Sequence, residues 1–257
     1  MIEGLFSIEG KTALVTGGSS GIGAMIARGF VEAGARVYIA SRKADVCEAV
    51  AKELSAFGTC SALPHDLGTT QGARDLARDL GEREASLNIL VNNAGANWAA
   101  PIEEYPESGW DKVVSLNLKS VFFLTQSLVP KLAAAGTHED PARVINVASI
   151  DGLQVPSLDT FAYSASKAAV IHMTRVLASK LARKHITVNA VAPGPFQSKM
   201  MRETLERFGD GIARQNPLGR IGRPDDIAGT TIYLASRAGS YITGVTIPVD
   251  GGISQTR

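Results

Sequence analysis

The chain has 257 residues, of which 45% are hydrophobic and 20% charged, with 26 glycines and two cysteines. Its 26 Lys and Arg nearly balance 25 Asp and Glu; a net charge of +1 leaves no electrostatic footprint for nucleic acid or an anionic membrane surface. Cys47 and Cys60 cannot build a disulfide framework and no Cys or His cluster has zinc-ligand spacing, so a reducing cytoplasm and no metal are expected.

From the amino terminus, Met1 to Gly10 carries Glu3 and Glu9 but no basic stretch leading into an apolar one, which argues against a secretory signal. No apolar run approaches the roughly 18 residues of a membrane span; the densest, Ser120 to Leu132, is interrupted by Thr125, Gln126 and Lys131. A soluble protein is expected.

Seven short β-branched runs read as strands: Thr12 to Thr16, Arg36 to Ala40, Cys60 to Pro64, Leu87 to Asn92, Arg143 to Ala148, Ile186 to Val191 and Val245 to Val249. Between them, Gly21 to Ala33, Lys43 to Ala56, Gln71 to Glu84, Glu107 to Ala134 and Phe161 to Lys184 place apolar residues at helical spacing. Alternating β and α predicts a doubly wound α/β fold of the Rossmann type, a parallel sheet with helices on both faces in a single domain. Ala133 to Pro141 reads as a surface loop, and the segment about 195–222 as a mobile substrate lid.

The first strand runs into Thr16-Gly17-Gly18-Ser19-Ser20-Gly21-Ile22-Gly23 and then a helix, where glycines let the backbone approach a phosphate and the helix amino terminus offers free N–H groups. The same letters spell the G-x-S-x-G of a hydrolase nucleophile elbow, but no histidine follows His185, so the histidine such a triad needs late in the chain is missing. No Gly-Lys-Ser/Thr follows either, which excludes a P-loop. At the end of the second strand, where an acidic residue would hold a ribose 2′-OH, stand Ser41, Arg42 and Lys43. A hydroxyl and a guanidinium fork suit the 2′-phosphate of NADP(H) rather than NAD(H).

Ser149 closes the fifth strand, at the sheet edge where open α/β proteins bind ligands. Tyr163 and Lys167 then lie i, i+4 on one helix face, so the ammonium can sit near the phenol and lower its pKa, by about 4 kcal/mol if it falls from about 10 to 7.

In combination, Thr16-Gly17-xxx-Gly21-x-Gly23, Asn92-Asn93-Ala94-Gly95, Asn117, Ser149, Tyr163-xxx-Lys167, Pro193-Gly194 and the terminal Pro248-Val-Asp250-Gly-Gly closely resemble the short-chain dehydrogenase/reductase family, in order and over essentially the whole chain. The resemblance implies Tyr163 as general acid in carbonyl reduction and base in alcohol oxidation, Lys167 as its pKa modulator and ribose ligand, Ser149 as holder of the substrate oxygen and Asn117 as anchor of a relay water. It also implies Ser19, Ser20, Ile22 and the glycines at the pyrophosphate, Asp66 and Leu67 at the adenine, Asn93, Ala94 and Gly95 along the cofactor wall, and Pro193, Gly194 and Ser198 by the carboxamide.

Ala96-Asn97-Trp98 and the polar loop before Arg143 resemble β-ketoacyl reductases of the rhamnolipid-associated type. Residues expected to face substrate, Trp98, Gln154, Val155, Pro156, Phe196, Met200 and Met201, are mostly apolar and favour a 3-oxoacyl chain, carried by ACP or CoA, or another hydrophobic ketone. The alternatives are a sugar-acid or polyol dehydrogenase resembling gluconate 5-dehydrogenases and, in another class, a catalytically silent NADP(H) sensor. The helices Glu107 to Ala134 and Phe161 to Lys184 match those that pair in family members, implying a homodimer or homotetramer.

Overall fold

In the computed structural model, which describes residues 4–197 and 211–256, seven strands form one parallel sheet. They are β1 (Thr12–Thr16), β2 (Arg36–Ser41), β3 (Cys60–Pro64), β4 (Ile89–Asn92), β5 (Ala142–Val147), β6 (Ile186–Pro193) and β7 (Thr246–Val249), in the spatial order β3-β2-β1-β4-β5-β6-β7. The order reverses direction between β1 and β4, and that reversal opens a crevice beyond the carboxyl ends of the strands. Ala13, Leu14 and Val15 pair with Val37, Tyr38 and Ile39 on one side and with Ile89, Leu90 and Val91 on the other.

Because side chains alternate across a strand, these apolar runs feed two cores at once. Ala13, Val15, Ile89, Val91 and Ile145 pack beneath α1 (Gly21–Glu32) and α2 (Ala44–Leu54), while Leu14, Leu90 and Val144 pack beneath α3 (Thr70–Arg83), α5 (Ser120–Ala135) and α6 (Phe161–Leu181). The sheet interior carries one polar ladder. Asn92 donates through Nδ2 to Thr125 Oγ1 (3.1 Å) and Asn146 Oδ1 (2.9 Å), and Asn146 Nδ2 donates to Thr174 Oγ1 (2.9 Å). These buried groups lock β4, β5, α5 and α6 into one register beneath the crevice.

Two differences from the sequence reading matter for the site. The stretch expected as one helix from Glu107 is α4 (Glu107–Val114), a five-residue π turn (Ser115–Lys119) and then α5. By length and composition this helical run, Glu107–Ala135, is apolar enough to cross a membrane; its Leu124, Leu128 and Leu132 pack against the sheet. The second difference is a further helix, α7 (Pro224–Ala235), which packs on α1 where Gly29 meets Ala228. Strand and helix ends otherwise move by one or two residues; β6, for example, continues to Pro193.

Candidate active site

The glycine turn is held open by its neighbours. Thr16 Oγ1 donates to Val91 O (3.2 Å) and accepts from Asn93 N (2.9 Å) and Ala94 N (3.0 Å), and Asn93 Nδ2 donates to Thr16 O (2.9 Å). Gly17 has φ +66°, and a Cβ there would stand 2.6 Å from Asn93 Nδ2; a Cβ on Gly23 would collide with the same amide and with Gly17 O. Only glycine fits this close approach. Ser20 caps α1 with extended backbone but no side-chain hydrogen bond, and the first helical turn has no acidic residue, so its N–H groups and dipole face the crevice.

A cleft of about 540 Å³ begins there and runs past the end of β2 to the turn after β3. Gly17, Ser19, Ser20, Ser41, Arg42, Asp66, Leu67, Ala94 and Gly95, all expected at a cofactor, line it together with Lys43. Gly21, Ile22, Gly23 and Asn93 support the phosphate end from behind. Asp66 accepts from Gly68 N (2.9 Å) and so turns the chain into α3 at the rim. Among the described residues Ser41 Oγ is buried without a hydrogen-bond partner, an orphan at the place where a 2′-phosphate would need a donor. The cleft wall there carries Arg42 and Lys43 and no carboxylate from β2. These residues therefore fit NADP(H). The sequence reading passed over His65, whose Nε2 lies 2.8 Å from Asp79 Oδ2 on the same wall; only a helix-spaced acid in α3 hinted at that pair.

At the inner end, Gly95 brings the cleft to the catalytic group: a Cβ on it would stand 3.3 Å from Asn117 Oδ1 and 3.8 Å from Lys167 Nζ. Asn117 sits in the π turn, which adds the residue needed to turn its side chain inward. Its Oδ1 accepts from Ala96 N (2.8 Å) and its Nδ2 donates to Ala96 O (3.0 Å) and Ser166 Oγ (3.1 Å). Lys167, 5% exposed, donates to Val147 O (2.7 Å) and lies 5.5 Å from the centroid of the Tyr163 ring. The Ser149 side chain lies near enough to the Tyr163 phenol to act on its acidity, and its Oγ accepts from Asp151 N (3.1 Å). The structure thus brings Asn117, Ser149, Tyr163 and Lys167 together.

Their acidities differ from the simplest expectation. Burial pushes the Tyr163 phenol up to about 12; the bond to Ser149 lowers it and the charge of Asp151 raises it further. The depressed phenol expected from the i, i+4 lysine is therefore absent here, because Lys167 lies against the ring and is spent on Val147 O. Burial also lowers Lys167 to about 8, with Asp151 opposing it.

Expected substrate residues divide. Trp98 stacks on Gly109, with the Lys112 ammonium 5.2 Å from its ring, and so fixes its loop to α4. Phe196 is a correction: at 1% exposure its ring is enclosed by the core and by Gly222, and it does not face the cleft. Gln154 is half-buried and Val155 lies 92% exposed on the loop before α6. Pro193 ends β6 and Gly194 abuts Asp250, whereas Ser198, Met200 and Met201, with most of the expected lid, lie outside the described residues.

A family model described as Enoyl-(Acyl carrier protein) reductase matches residues 17–254. The chain belongs to the short-chain dehydrogenase/reductase family. It is 50% identical over 253 residues to the rhamnolipids biosynthesis 3-oxoacyl-[acyl-carrier-protein] reductase of Pseudomonas aeruginosa, covering 96% of this chain and 97% of that one. It is 38% identical to the 2-dehydro-3-deoxy-D-gluconate 5-dehydrogenase of Bacillus subtilis, with 96% of each covered. Among solved structures, the Pseudomonas aeruginosa RhlG/NADP active-site complex superposes with a TM-score of 0.95 at 49% identity, over 98% of this chain and 99% of that one. A Burkholderia cenocepacia gluconate 5-dehydrogenase in complex with NADP and tartrate gives 0.91 at 30% identity, over 100% of both. The family assignment makes this short-chain protein an oxidoreductase.

The lysine gives a testable pH dependence. The folded chain releases the Lys167 proton near 8, whereas an unfolded lysine holds it to 10.5. Between these values the unfolded state binds more protons, so stability rises with pH. Urea unfolding of wild type against Lys167→Met is expected to show wild type gaining up to about 3 kcal/mol relative to the variant across that window. Parallel curves would mean that the ammonium is not buried as described.

Proposed function

We propose that this protein is an NADPH-dependent carbonyl reductase acting on a 3-oxoacyl chain, carried by ACP or CoA, or on a similar hydrophobic ketone. The carrying observation is the convergence of Ser149, Tyr163 and Asn117, with buried Lys167 held on Val147 O against the Tyr163 ring, at the inner end of a cleft suited to NADP(H). Bound NADPH supplies the hydride. Ser149 Oγ and Tyr163 Oη then serve as two donors to one carbonyl oxygen, and Tyr163 gives up its proton as the oxygen gains charge. A phenol kept protonated by burial suits that role, and the same groups run the alcohol oxidation in reverse.

The substrate class rests on the 50% identical 3-oxoacyl reductase and on the apolar residues around the mouth. The gluconate-type relatives support a second reading, oxidation of a sugar acid or polyol. The matched family description names an enoyl reductase; neighbouring Ser149 and Tyr163 hydroxyls beside a buried lysine suit a carbonyl oxygen better than a carbon–carbon double bond. A silent sensor fits poorly, because the site holds a complete set of proton donors. The proposal includes a lid over 195–222 and a reducing cytoplasmic setting, the latter in keeping with the buried free thiols of Cys47 and Cys60. It also includes a homodimer or homotetramer, supported by exposed Trp110, Phe122, Phe161 and Val176 on α4, α5 and α6.

Screening NADPH consumption with 3-oxoacyl thioesters against 5-ketogluconate tests the substrate class, and turnover of the keto acid alone would select the second reading. Tyr163→Phe is expected to lose about 10²-fold or more in kcat while still binding NADPH, seen as nucleotide fluorescence; retained turnover would remove the assigned acid. Arg42→Ala is expected to weaken NADPH about 10- to 150-fold with little effect on NADH. Equal losses for both nucleotides would overturn the 2′-phosphate assignment.

A further inference from the structure

One charged group near the tetrad has no part in the chemistry above. Asp151 lies in a 3₁₀ turn, Ile150–Gly152, two residues after Ser149, and its backbone N–H is the donor to Ser149 Oγ. The turn is seated on the part of α6 that carries Lys167: a Cβ on Gly152 would stand 2.7 Å from Lys167 C and from Ala168 N. Its bond to Ser149 and the seating of Gly152 on α6 place Asp151 beside Ser149 and Lys167, and its charge acts on Lys167 and Tyr163. Among the described residues it makes no hydrogen bond or ion pair through its side chain. Lys167 is fully buried and engaged with Val147 O, whereas Asp151 is only half-buried. Of this pair, the negative member is therefore the one open to solvent.

We infer that Asp151 is a specificity-determining residue that turns away ketones carrying their own carboxylate near the reacting carbonyl and so favours uncharged oxo esters and thioesters. The inference rests on the carbonyl-reductase reading and narrows it, since it separates a neutral 3-oxoacyl ester or thioester from the free 3-oxo acid. At an effective dielectric of about 20, two like charges within about 10 Å of each other disfavour binding by about tenfold or more. A carboxylate several bonds further from the carbonyl feels this less, and an ester of the same acid does not feel it at all. Burial pushes the Asp151 carboxyl up from its ordinary value while Lys167 draws it down, in keeping with a partly desolvated group beside a cation.

The test uses one ketone in two charge states, acetoacetate and its methyl ester, with NADPH and the full chain at pH 7. Wild type is expected to prefer the ester in kcat/KM by about tenfold or more. In Asp151→Asn that ratio is expected to fall by about tenfold or more, whatever happens to the absolute rates, and Asp151→Glu is expected to restore it. A change at Asp151 that only disturbs Tyr163 or Lys167 would slow both substrates alike and leave the ratio fixed, which overturns the inference. Equal use of ester and acid by wild type overturns it without any variant, so a variant that fails to fold does not shield it. Reduction of neither substrate, nor of any longer 3-oxoacyl thioester, would instead remove the carbonyl-reductase reading on which the inference stands.

Discussion

The buried ammonium of Lys167 is the constraint around which the site is organised. A lysine at 5% exposure is costly to desolvate, and here the cost is offset by the Val147 carbonyl at 2.7 Å, the face of the Tyr163 ring and the charge of Asp151. Each of these partners needs a separate element in place. Val147 ends β5, Tyr163 lies one helical turn earlier on α6, and Asp151 arrives in the turn that also presents Ser149. The Asn92, Asn146 and Thr174 ladder fixes β4, β5 and α6 directly beneath them. Core polarity that looks wasteful in a sheet interior thus serves to hold Ser149, Tyr163 and Lys167 to a single geometry.

The cofactor cleft depends on a different kind of lock. Thr16 and Asn93 exchange hydrogen bonds across β1 and β4, so the glycine turn and the Asn93–Gly95 wall are held together at the point where the strand order reverses. The wall then passes Gly95 against Asn117 and Lys167, so one small residue joins the cleft to the group around Lys167. The π turn belongs to the same joint: without its extra residue Asn117 could not brace Ala96 from both sides.

Much of this was legible in the sequence because it is written in local chemistry. Strands buried on both faces read as unbroken apolar runs, and the strand–glycine–helix succession has few physical meanings. Tyr163 and Lys167 share a face at any helical spacing of four. Other features were not legible, for reasons that differ. Phe196 and a pocket-lining phenylalanine look alike by composition, and only the close seat on Gly222 assigns it to the core. The π turn leaves helical periodicity almost intact over Glu107–Ala135, so Asn117 could be found but not its geometry. Helix α7 carries signals of its own, Pro224 at its first position and Asp225 and Asp226 in its first turn, but these lie just beyond the expected lid and no helix was assigned to them. The raised pKa of Tyr163 follows from desolvation and from Asp151, neither of which a spacing of residues reveals.

The central claim is that the two hydroxyls act on a carbonyl oxygen while hydride goes to its carbon. It is tested most directly by reducing a 3-oxoacyl thioester with NADPH carrying deuterium at the transferred position of the nicotinamide and locating the label in the product. The account predicts a 3-hydroxyacyl thioester with one deuterium on the carbon that bears the hydroxyl. Label at any other carbon, or nucleotide bound without transfer of label to any ketone, would contradict it.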